Sequence, residues 1–424
     1  RQRQMCIRDR IKYEVQDAME SLGISELRKH QIKPINHIQS RDDVLVISPT
    51  SSGKSAMFQI PAIVEWHKEQ RWVLVIEPTI SLMEDQVRAL QEKGVPAEAL
   101  SSHTQHQGKT ILERLANHQV ALLYATPERL QSPVFQQAVH YNCPWLIVVD
   151  EAHCVLDWGH TFRKSYLMIK SFVKNLKRRP VIAAFTATAP PEYRKDIAAC
   201  LGMKEPKIFL NSLARKNITL LREDCSSLSI KQRLARVNYN IKKYRKGGRV
   251  VVYCASRKNV DMVANYLSKK FPGEVVKCHA YMDSDKRQKH EYQFINGTKP
   301  IMVASTAFGM GIDARDIRLV IHFNLPLNVI DYYQQIGRAG RDGEKSHAVL
   351  LYHPDDITLA HFILDKEQFS EHLRTRLDSR LEELVSIVKG DKCLPRQVLL
   401  ALGEASGQDC GRCSNCQRNR RSNH

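Results

Sequence analysis

Residues 44–55 read Val-Leu-Val-Ile-Ser48-Pro-Thr-Ser-Ser-Gly53-Lys54-Ser55, an apolar run followed by a polar loop that carries a lysine. The unbroken apolar run is typical of a strand buried on both faces. A strand, a tight loop and a helix in this order form a phosphate-binding loop, whose N–H groups cradle phosphate oxygens. We expect Lys54 to reach the β- and γ-phosphates of a nucleotide and Ser55 to hold Mg²⁺. Because Ser48 stands where the motif has glycine, a structural turn is the alternative.

Similar apolar runs recur along the chain, with helical stretches between them. This alternation predicts an α/β fold with parallel sheets. A polar, basic break at about 205–248 separates two groups of strands, so we expect two α/β domains in tandem. The remaining runs lie at 72–76, 120–124, 146–149 and 181–185 before the break, and at 250–253, 301–304, 319–323 and 348–352 after it.

The bulk composition favours a polyanionic partner. The 424 residues include 64 Lys and Arg against 45 Asp and Glu, which gives a formal net charge of +19. A basic excess of this kind favours nucleic acid, because neutralised phosphates release counterions. The apolar runs are shorter than the roughly 18–20 residues that span a bilayer, so we expect no membrane association.

Two acids follow another buried run in Leu146-Ile-Val-Val-Asp150-Glu151-Ala-His153. The carboxyl ends of parallel strands form the edge where ligands bind in open α/β sheets. We expect Asp150 to hold Mg²⁺ and Glu151 to polarise the water that attacks the nucleotide. The alternative is that the two acids only cap a helix.

Two arginines three residues apart lie in the glycine-rich stretch Gln334-Gln-Ile-Gly-Arg338-Ala-Gly-Arg341-Asp-Gly343. This spacing places both on one face at the start of a helix. We expect Arg338 and Arg341 to act as arginine fingers that stabilise transition-state charge in ATP hydrolysis. A basic surface helix is the alternative.

Four cysteines gather near the end of the sequence with the spacing C-x16-C-x2-C-x2-C. Four thiolates spaced in this way can close a tetrahedral zinc site with a structural role. An iron–sulfur cluster is the alternative, although the common bacterial run would continue to a fourth Cys followed by Pro. The predicted ligands are Cys393, Cys410, Cys413 and Cys416.

Together these segments resemble the superfamily 2 helicases and, more narrowly, the RecQ family, over about residues 20–416. Asp150-Glu-Ala-His153 matches the DEAH box, and the stretch 334–343 matches motif VI. Further segments match motifs Ia (77–86), Ib (126–129), III (185–189), IV (251–257) and V (305–313). The resemblance implies catalytic roles for Lys54, Asp150, Glu151, His153, Arg338 and Arg341, and nucleotide contacts from Thr50, Ser51, Ser52, Gly53, Lys54, Ser55, Gly311 and Asp313.

The resemblance also implies a domain plan. It gives a first RecA-like ATP-binding domain at 11–210, a second RecA-like domain at 211–352 and a small helical zinc-binding module at 353–424. Residues 1–10 resemble translated sequencing-adapter sequence and are left out of the functional argument. The chain stops eight residues after Cys416, before the winged-helix domain that family members commonly carry.

An aromatic-rich loop follows the DEAH box and resembles the loop that separates this family from RNA helicases. Its residues Trp158, His160, Phe162 and Arg163 are the predicted DNA contacts, because bases stack on aromatic faces and Arg meets phosphate. Asp157, Thr161 and Lys164 depart from the family pattern, which bears on how tightly DNA binding is signalled to the ATPase.

The segment 22–31 resembles motif 0 of the family. The resemblance implies that Arg28 and Gln31 contact the adenine of ATP. Ile24 occupies a position that is usually aromatic, so we expect a weaker preference for ATP over other nucleotides.

The expected function is therefore that of a 3′–5′ DNA helicase using ATP, Mg²⁺ and Zn²⁺. Its expected partners are single-stranded and forked duplex DNA, in recombination and repair. It would act at the nucleoid in a bacterial cytoplasm, or in the nucleus of a eukaryote. An RNA helicase, and a nucleic-acid-binding protein without ATP turnover, are the alternatives.

Overall fold

The computed structural model describes residues 14–49, 52–102, 104, 107–155, 164–306, 308, 314–366, 369, 371–405 and 407–422. The chain divides into two compact units between Ser212 and Leu213. Each unit is built around one sheet whose paired strands all run parallel. The predicted α/β fold with two parallel-sheet domains is thus confirmed, whereas the domain boundaries given above stay predictions.

The first unit contains a seven-stranded sheet in the order β3-β4-β2-β5-β6-β1-β7. The carboxyl ends of β2, β5, β6 and β1 are neighbours in this order, so residues that follow these strands lie side by side. The strands are β1 (Val44–Ile47), β2 (Val73–Ile76), β3 (Ala97–Leu100), β4 (Leu122–Ala125), β5 (Leu146–Val149), β6 (Val181–Thr186) and β7 (Lys207–Leu210). Residues 14–21 are helical. The helices that follow are α1 (Lys29–Gln39), α2 (Lys54–Glu69), α3 (Ile80–Gln91), α4 (Gly108–Ala116), α5 (Pro133–Tyr141), α6 (Ile169–Asn175) and α7 (Pro191–Leu201), with 3₁₀ turns at Pro127–Gln131, Ala152–Val155 and Lys164–Met168.

The second unit contains a six-stranded sheet in the order β10-β11-β9-β12-β13-β8, followed by a helical segment. Its strands are β8 (Ile218–Asp224), β9 (Arg249–Tyr253), β10 (Val275–Cys278), β11 (Ile301–Ala304), β12 (Ile317–His322) and β13 (Ser346–Tyr352). Its helices are α8 (Ile230–Tyr244), α9 (Arg257–Lys270), α10 (Ser284–Ile295), α11 (Val329–Ile336), α12 (Asp355–Asp365), α13 (Glu371–Lys389), α14 (Leu394–Ala401) and α15 (Ser414–Ser422). None of the helices in the described residues is long and apolar enough to cross a membrane.

Local sequence signals account for where several helices begin and end. Helix α8 begins with a capping box, in which Ser229 Oγ accepts from Gln232 N (3.4 Å) and Gln232 Oε1 accepts from Ser229 N (2.8 Å). Helix α7 ends at Gly202, whose φ of 69° lies in the left-handed region that glycine tolerates best. The apolar faces of the helices then pack on the sheets, as Phe58 of α2 does on Phe185 of β6 (5.4 Å between ring centroids).

The sequence pattern located the central strands but missed strands at the sheet edges. The runs 44–47, 146–149 and 301–304 coincide with β1, β5 and β11. The polar break at 205–248, in which the sequence pattern predicted no strand, contains β7 and β8. Strands β3 and β10 were missed as well, so all four missed strands are edge strands.

Candidate nucleotide site and metal centre

The predicted phosphate-binding loop lies at the carboxyl end of β1, directly before α2. Ser48 Oγ donates to Ser52 Oγ (2.7 Å), which closes the loop across its base. Lys54 is the first residue of α2, and its Nζ turns back to donate to the carbonyl oxygen of Ser48 (3.4 Å). The lysine is therefore held over the loop, where it can meet phosphate oxygens. Thr50 and Ser51 lie outside the described residues.

The start of α1 packs against this loop. Gln31 is buried, and its Nε2 donates to the carbonyl oxygen of Gly53 (2.9 Å), while His30 Nε2 lies 3.1 Å from the carbonyl oxygen of Ser52. Gly53 has a φ of 80°, and a Cβ there would lie 2.6 Å from Gln31 Nε2. The backbone conformation favours glycine, and a side chain at this position would displace the Gln31 amide. The adenine contacts of Arg28 and Gln31 stay predictions.

Two carboxylates meet where β2 and β5 end. Ile76 pairs with Val149, so Glu77 and Asp150 are the next residues on adjacent strands. Both are buried. Burial and the neighbouring charge of Glu151 raise the pKa of Asp150 to about 6, and the charge of Lys54 opposes that rise. A buried carboxyl so perturbed is typical of a site that binds a cation or transfers a proton.

Glu77 is a feature that sequence reasoning did not single out. Its Oε1 accepts hydrogen bonds from the Thr79 backbone N–H (3.2 Å) and from Thr79 Oγ1 (2.8 Å). Its Oε2 is buried and has no hydrogen-bond partner among the described residues. Burial, and then the charge of Asp150, raise the pKa of Glu77 well above its usual value. The acid directly after the β2 run, in register with Asp150, was the signal that could have identified it.

Mg²⁺ fits this end of the sheet, because clustered carboxylates with an orphaned buried oxygen call for a cation. Asp150 and Ser55 are the residues that would hold the ion. Asp150 keeps its place because its backbone N–H donates to Ile76 O (3.0 Å) and because Tyr166 Oη donates to its carbonyl oxygen (3.1 Å).

Glu151 is linked to the end of β6 through His153. Glu151 has a φ of 47°, an uncommon conformation for a residue with a side chain, and its backbone N–H donates to Asp150 Oδ1 (2.9 Å). Nδ1 of His153 lies 3.3 Å from Glu151 Oε2 and 3.0 Å from Thr186 Oγ1. Thr186 Oγ1 in turn donates to the carbonyl oxygen of Thr188 (3.0 Å). The acid of the DEAH box is thus connected to the motif III threonines.

In the second unit, Arg338 and Arg341 lie in a turn that follows the end of α11, so the prediction that they begin a helix is wrong. Arg338 lies against Tyr253, at the end of β9, and forms a hydrogen bond with its hydroxyl. Burial raises the pKa of Tyr253, and the charges of Arg338 and Arg341 oppose that rise. Both arginines are therefore at the carboxyl end of the second sheet.

A buried histidine ties β12 to the helix that precedes these arginines. His322 is fully buried, and its Nε2 lies 2.9 Å from Oε1 of Gln335 on α11. Its ring lies between Tyr253 (5.7 Å between centroids) and Tyr332 (5.0 Å). Burial lowers the pKa of His322 to about 3, so the imidazole is neutral in the folded unit.

We expect acid to destabilise the second unit through His322. In the unfolded chain a histidine has a pKa near 6.5. Below that pH the unfolded state binds a proton at this histidine, whereas the folded state does not, so acid favours unfolding. One such group costs about 1.4 kcal/mol per pH unit, or roughly 2 kcal/mol at pH 5. Calorimetric unfolding at pH 7.5 and 5.0 should show a smaller pH dependence for His322→Gln. Equal pH dependence in the two proteins would contradict this assignment.

The four predicted zinc ligands come together. Their Sγ atoms all lie within 4.8 Å of one another, and those of Cys410 and Cys416 are 4.0 Å apart. Tetrahedral zinc with bonds of about 2.3 Å separates its sulfurs by roughly 3.8 Å. Backbone N–H groups donate to sulfur, from Cys410 to Cys393 (3.2 Å) and from Cys413 to Cys410 (3.3 Å). These donors favour thiolates, so the donor set fits a zinc ion.

The cysteine cluster is attached to the outer edge of β8. Ser414 Oγ accepts from the Arg222 backbone N–H (3.0 Å), and the Arg222 guanidinium donates to the carbonyl oxygens of Val388 and Gly390. Asn415 Nδ2 donates to the carbonyl oxygen of Gly390 (3.0 Å). The module therefore continues the second unit and is held by hydrogen bonds to its edge strand.

Three family models match the chain in succession. A DEAD/DEAH box helicase domain covers residues 28–197, a helicase conserved C-terminal domain covers 231–343 and a RecQ zinc-binding domain covers 354–417. The chain is 34% identical over 388 residues to the probable ATP-dependent DNA helicase RecS of Bacillus subtilis, covering 91% of this chain and 75% of that protein. The chain belongs to the RecQ family.

This RecQ-family chain is also 35% identical over 398 residues to the ATP-dependent DNA helicase RecQ of Bacillus subtilis. That alignment covers 93% of the chain and 65% of the relative, so the chain spans about two thirds of that relative's length. A solved structure, the DUF1998 helicase MrfA bound to DNA, matches 87% of this chain and 54% of its own with a TM-score of 0.66. At 17% identity that likeness concerns the fold alone.

Several predicted site residues of this RecQ-family chain lie outside the described residues. They are the aromatic-loop residues Trp158, His160, Phe162 and Arg163, with the departures Asp157 and Thr161, and the motif V residues Gly311 and Asp313. Lys164 begins a 3₁₀ turn. The functional roles of all the predicted site residues stay predictions.

Proposed function

We propose that this chain is an ATP-dependent DNA helicase that moves 3′ to 5′ on single-stranded DNA and separates strands at forks. The observation that carries the proposal is the first sheet's carboxyl edge. There Lys54 is held over the phosphate-binding loop, Asp150 is buried beside it, and Glu151 is linked through His153 to Thr186. Membership of the RecQ family supports DNA as the substrate and recombination and repair as the setting.

Each residue of this edge has a distinct chemical task in the proposal. Lys54 binds the β- and γ-phosphate oxygens of ATP, and Glu151 orients and polarises the attacking water. Asp150 and Ser55 hold Mg²⁺, which supplies positive charge to the phosphate oxygens. His153 keeps the Glu151 carboxylate aligned and responds to the position of Thr186.

The proposal assigns the arginines of motif VI to the transition state. Arg338 and Arg341 stabilise the charge that develops on the transferred phosphoryl group. They belong to the second unit and Lys54 belongs to the first, so the proposal makes ATP hydrolysis depend on both units.

DNA binding in the proposal combines charge with stacking. The net charge of +19 favours a phosphate backbone, and Trp158 and Phe162 supply faces on which bases stack. The zinc ion has a structural role and holds the module at 353–424 together. The protein would act where the chromosome is, at the nucleoid or in the nucleus.

The deciding experiment measures ATP hydrolysis by the purified chain alone, with single-stranded DNA and with single-stranded RNA of equal length. We expect strong stimulation by DNA, declining as salt is raised because phosphate contacts release counterions. Stimulation by RNA but not by DNA would identify an RNA helicase. Binding of DNA without any turnover would identify a nucleic-acid-binding protein and contradict the proposal. Unwinding of a fork labelled on one strand then reports the direction of movement.

A further inference from the structure

A half-buried guanidinium, that of Arg215, holds the loop that carries the two motif VI arginines. Arg215 lies just before β8, and its Nη1 donates to the carbonyl oxygen of Gly337 (2.9 Å). Its Nη2 donates to the carbonyl oxygens of Ala339 (2.8 Å) and Gly340 (2.9 Å). Each of these peptide groups is next to Arg338 or Arg341 in the chain. The guanidinium therefore binds the backbone on both sides of Arg338 and directly before Arg341.

Asn217 completes the arrangement from the same segment. Its Nδ2 donates to the carbonyl oxygens of Gly340 (2.8 Å) and Glu344 (3.0 Å). Gly340 has a φ of 56°, and a Cβ there would lie 2.4 Å from Asn217 Nδ2 and 2.7 Å from the carbonyl oxygen of Glu344. The loop is packed so closely that even a methyl group would displace it.

The segment that carries Arg215 is itself anchored. Tyr333 Oη, on α11, donates to the carbonyl oxygen of Leu213 (2.7 Å), and the Leu213 backbone N–H donates to Oε2 of Glu404 (2.6 Å). Burial lowers the pKa of Arg215, because it removes part of the water around the charged guanidinium. The hydrogen bonds to backbone carbonyl oxygens offset this desolvation cost. A planar fork of donors suits three carbonyl oxygens, whereas a lysine ammonium cannot span them.

We propose that Arg215 is a positioning residue for ATP hydrolysis, which it supports by holding the 337–340 backbone so that Arg338 and Arg341 meet the transferring phosphoryl group. The inference rests on the proposed function, because it requires those arginines to act in hydrolysis. Charge that develops only in the transition state demands donors already in place. A shift of about 1 Å in such donors can lower the rate on the order of 100-fold.

The test compares Arg215→Met and Arg215→Lys with the unmodified chain in DNA-stimulated ATP hydrolysis. We expect kcat to fall on the order of 100-fold in both variants, with KM for ATP and the affinity for single-stranded DNA within about twofold. Affinity for Mg²⁺-ADP with aluminium fluoride, which imitates the transferring phosphoryl group, should fall by a similar factor. Affinity for Mg²⁺-ADP alone should not change.

A second comparison asks whether Arg215 acts through Arg338. Residues that act as one unit are not additive, so Arg215→Met should cause little further loss of kcat in an Arg338→Ala background. Independent, multiplying losses in the double variant would overturn the inference.

Arg222→Met is the matched control, because Arg222 also donates to two backbone carbonyls of the second unit but away from motif VI. We expect it to lower thermal stability while kcat per folded molecule stays within about twofold. Equal losses of kcat in the Arg222 and Arg215 variants would show a merely structural role and overturn the inference. If the unmodified chain hydrolyses ATP and Arg338→Ala lowers its kcat strongly, full activity in Arg215→Met overturns the inference and leaves the proposed function intact. No hydrolysis by the unmodified chain would instead overturn the proposed function, and with it the inference.

Discussion

Replacing Lys54 with alanine is expected to lower kcat/KM for DNA-stimulated ATP hydrolysis on the order of 10³-fold. Lys54 Nζ is already turned over the phosphate-binding loop, 3.4 Å from Ser48 O. Its charge would meet the β- and γ-phosphates in the ground state and more strongly in the transition state. Losing one such preorganised donor costs about 10²–10³ in rate, and losing phosphate binding adds to that. Steady-state hydrolysis at saturating single-stranded DNA measures the effect.

The matched control is Lys207→Ala. Lys207 is exposed on β7 and pairs with Val44, at the start of β1, whereas the phosphate-binding loop follows the other end of that strand. Removing this charge should leave the rate within about twofold. Hydrolysis retained in Lys54→Ala, with Lys207→Ala unchanged, would show that the loop does not bind the nucleotide phosphates.

Replacing Cys413 with serine is expected to abolish zinc binding and unfold the module at 353–424. Cys413 is fully buried, and its Sγ lies within the four-sulfur cluster. A structural zinc ion contributes about 10–16 kcal/mol to small domains of this kind, far more than their cores supply. Metal content per chain and limited proteolysis after about residue 353 measure the outcome.

Cys200→Ser provides the comparison for that change. Cys200 is half-buried at the end of α7, in the first unit, and takes no part in the cluster. The Cys200→Ser variant should retain one zinc ion per chain and the proteolytic pattern of the unmodified protein. If Cys413→Ser keeps its zinc and its resistance to protease, the cluster is not the metal site. Iron with inorganic sulfide in place of zinc would identify the iron–sulfur alternative.

The hydrophobic pattern predicted the central strands because these are buried on both faces. Strands such as β5 and β11 read as continuous apolar runs, since no position along them faces water. Edge strands differ, because some of their residues face water. Three of the four residues of β7 are exposed, β10 alternates half-buried with buried positions, and β3 has one half-buried position, at Glu98. Polar residues therefore interrupt these strands. A criterion based on unbroken apolar runs cannot find strands of this kind.

The site residues also fall into two groups, those that a short sequence motif identifies and those whose role depends on contacts distant in sequence. Lys54, Asp150 and the four cysteines belong to short motifs whose spacing is visible in the sequence, and the structure places them where a phosphate, a cation and zinc could bind. Glu77 and Arg215 differ, because their surroundings depend on strand register and on carbonyl groups 122 to 125 residues away. Sequence spacing alone carries no information about contacts of that range.

The attachment of the cysteine module to β8 bears on whether the protein aggregates. β8 is the last strand of its sheet, and the Arg222 N–H on its outer side is taken up by Ser414. An uncovered strand edge is a template for pairing with another chain. If a chelator removed a bound metal ion, the cysteine module would loosen. The outer edge of β8 would then be exposed and could pair with a strand of another chain. We expect chains without metal to aggregate, so a bound ion would also prevent edge-to-edge pairing between copies of the chain.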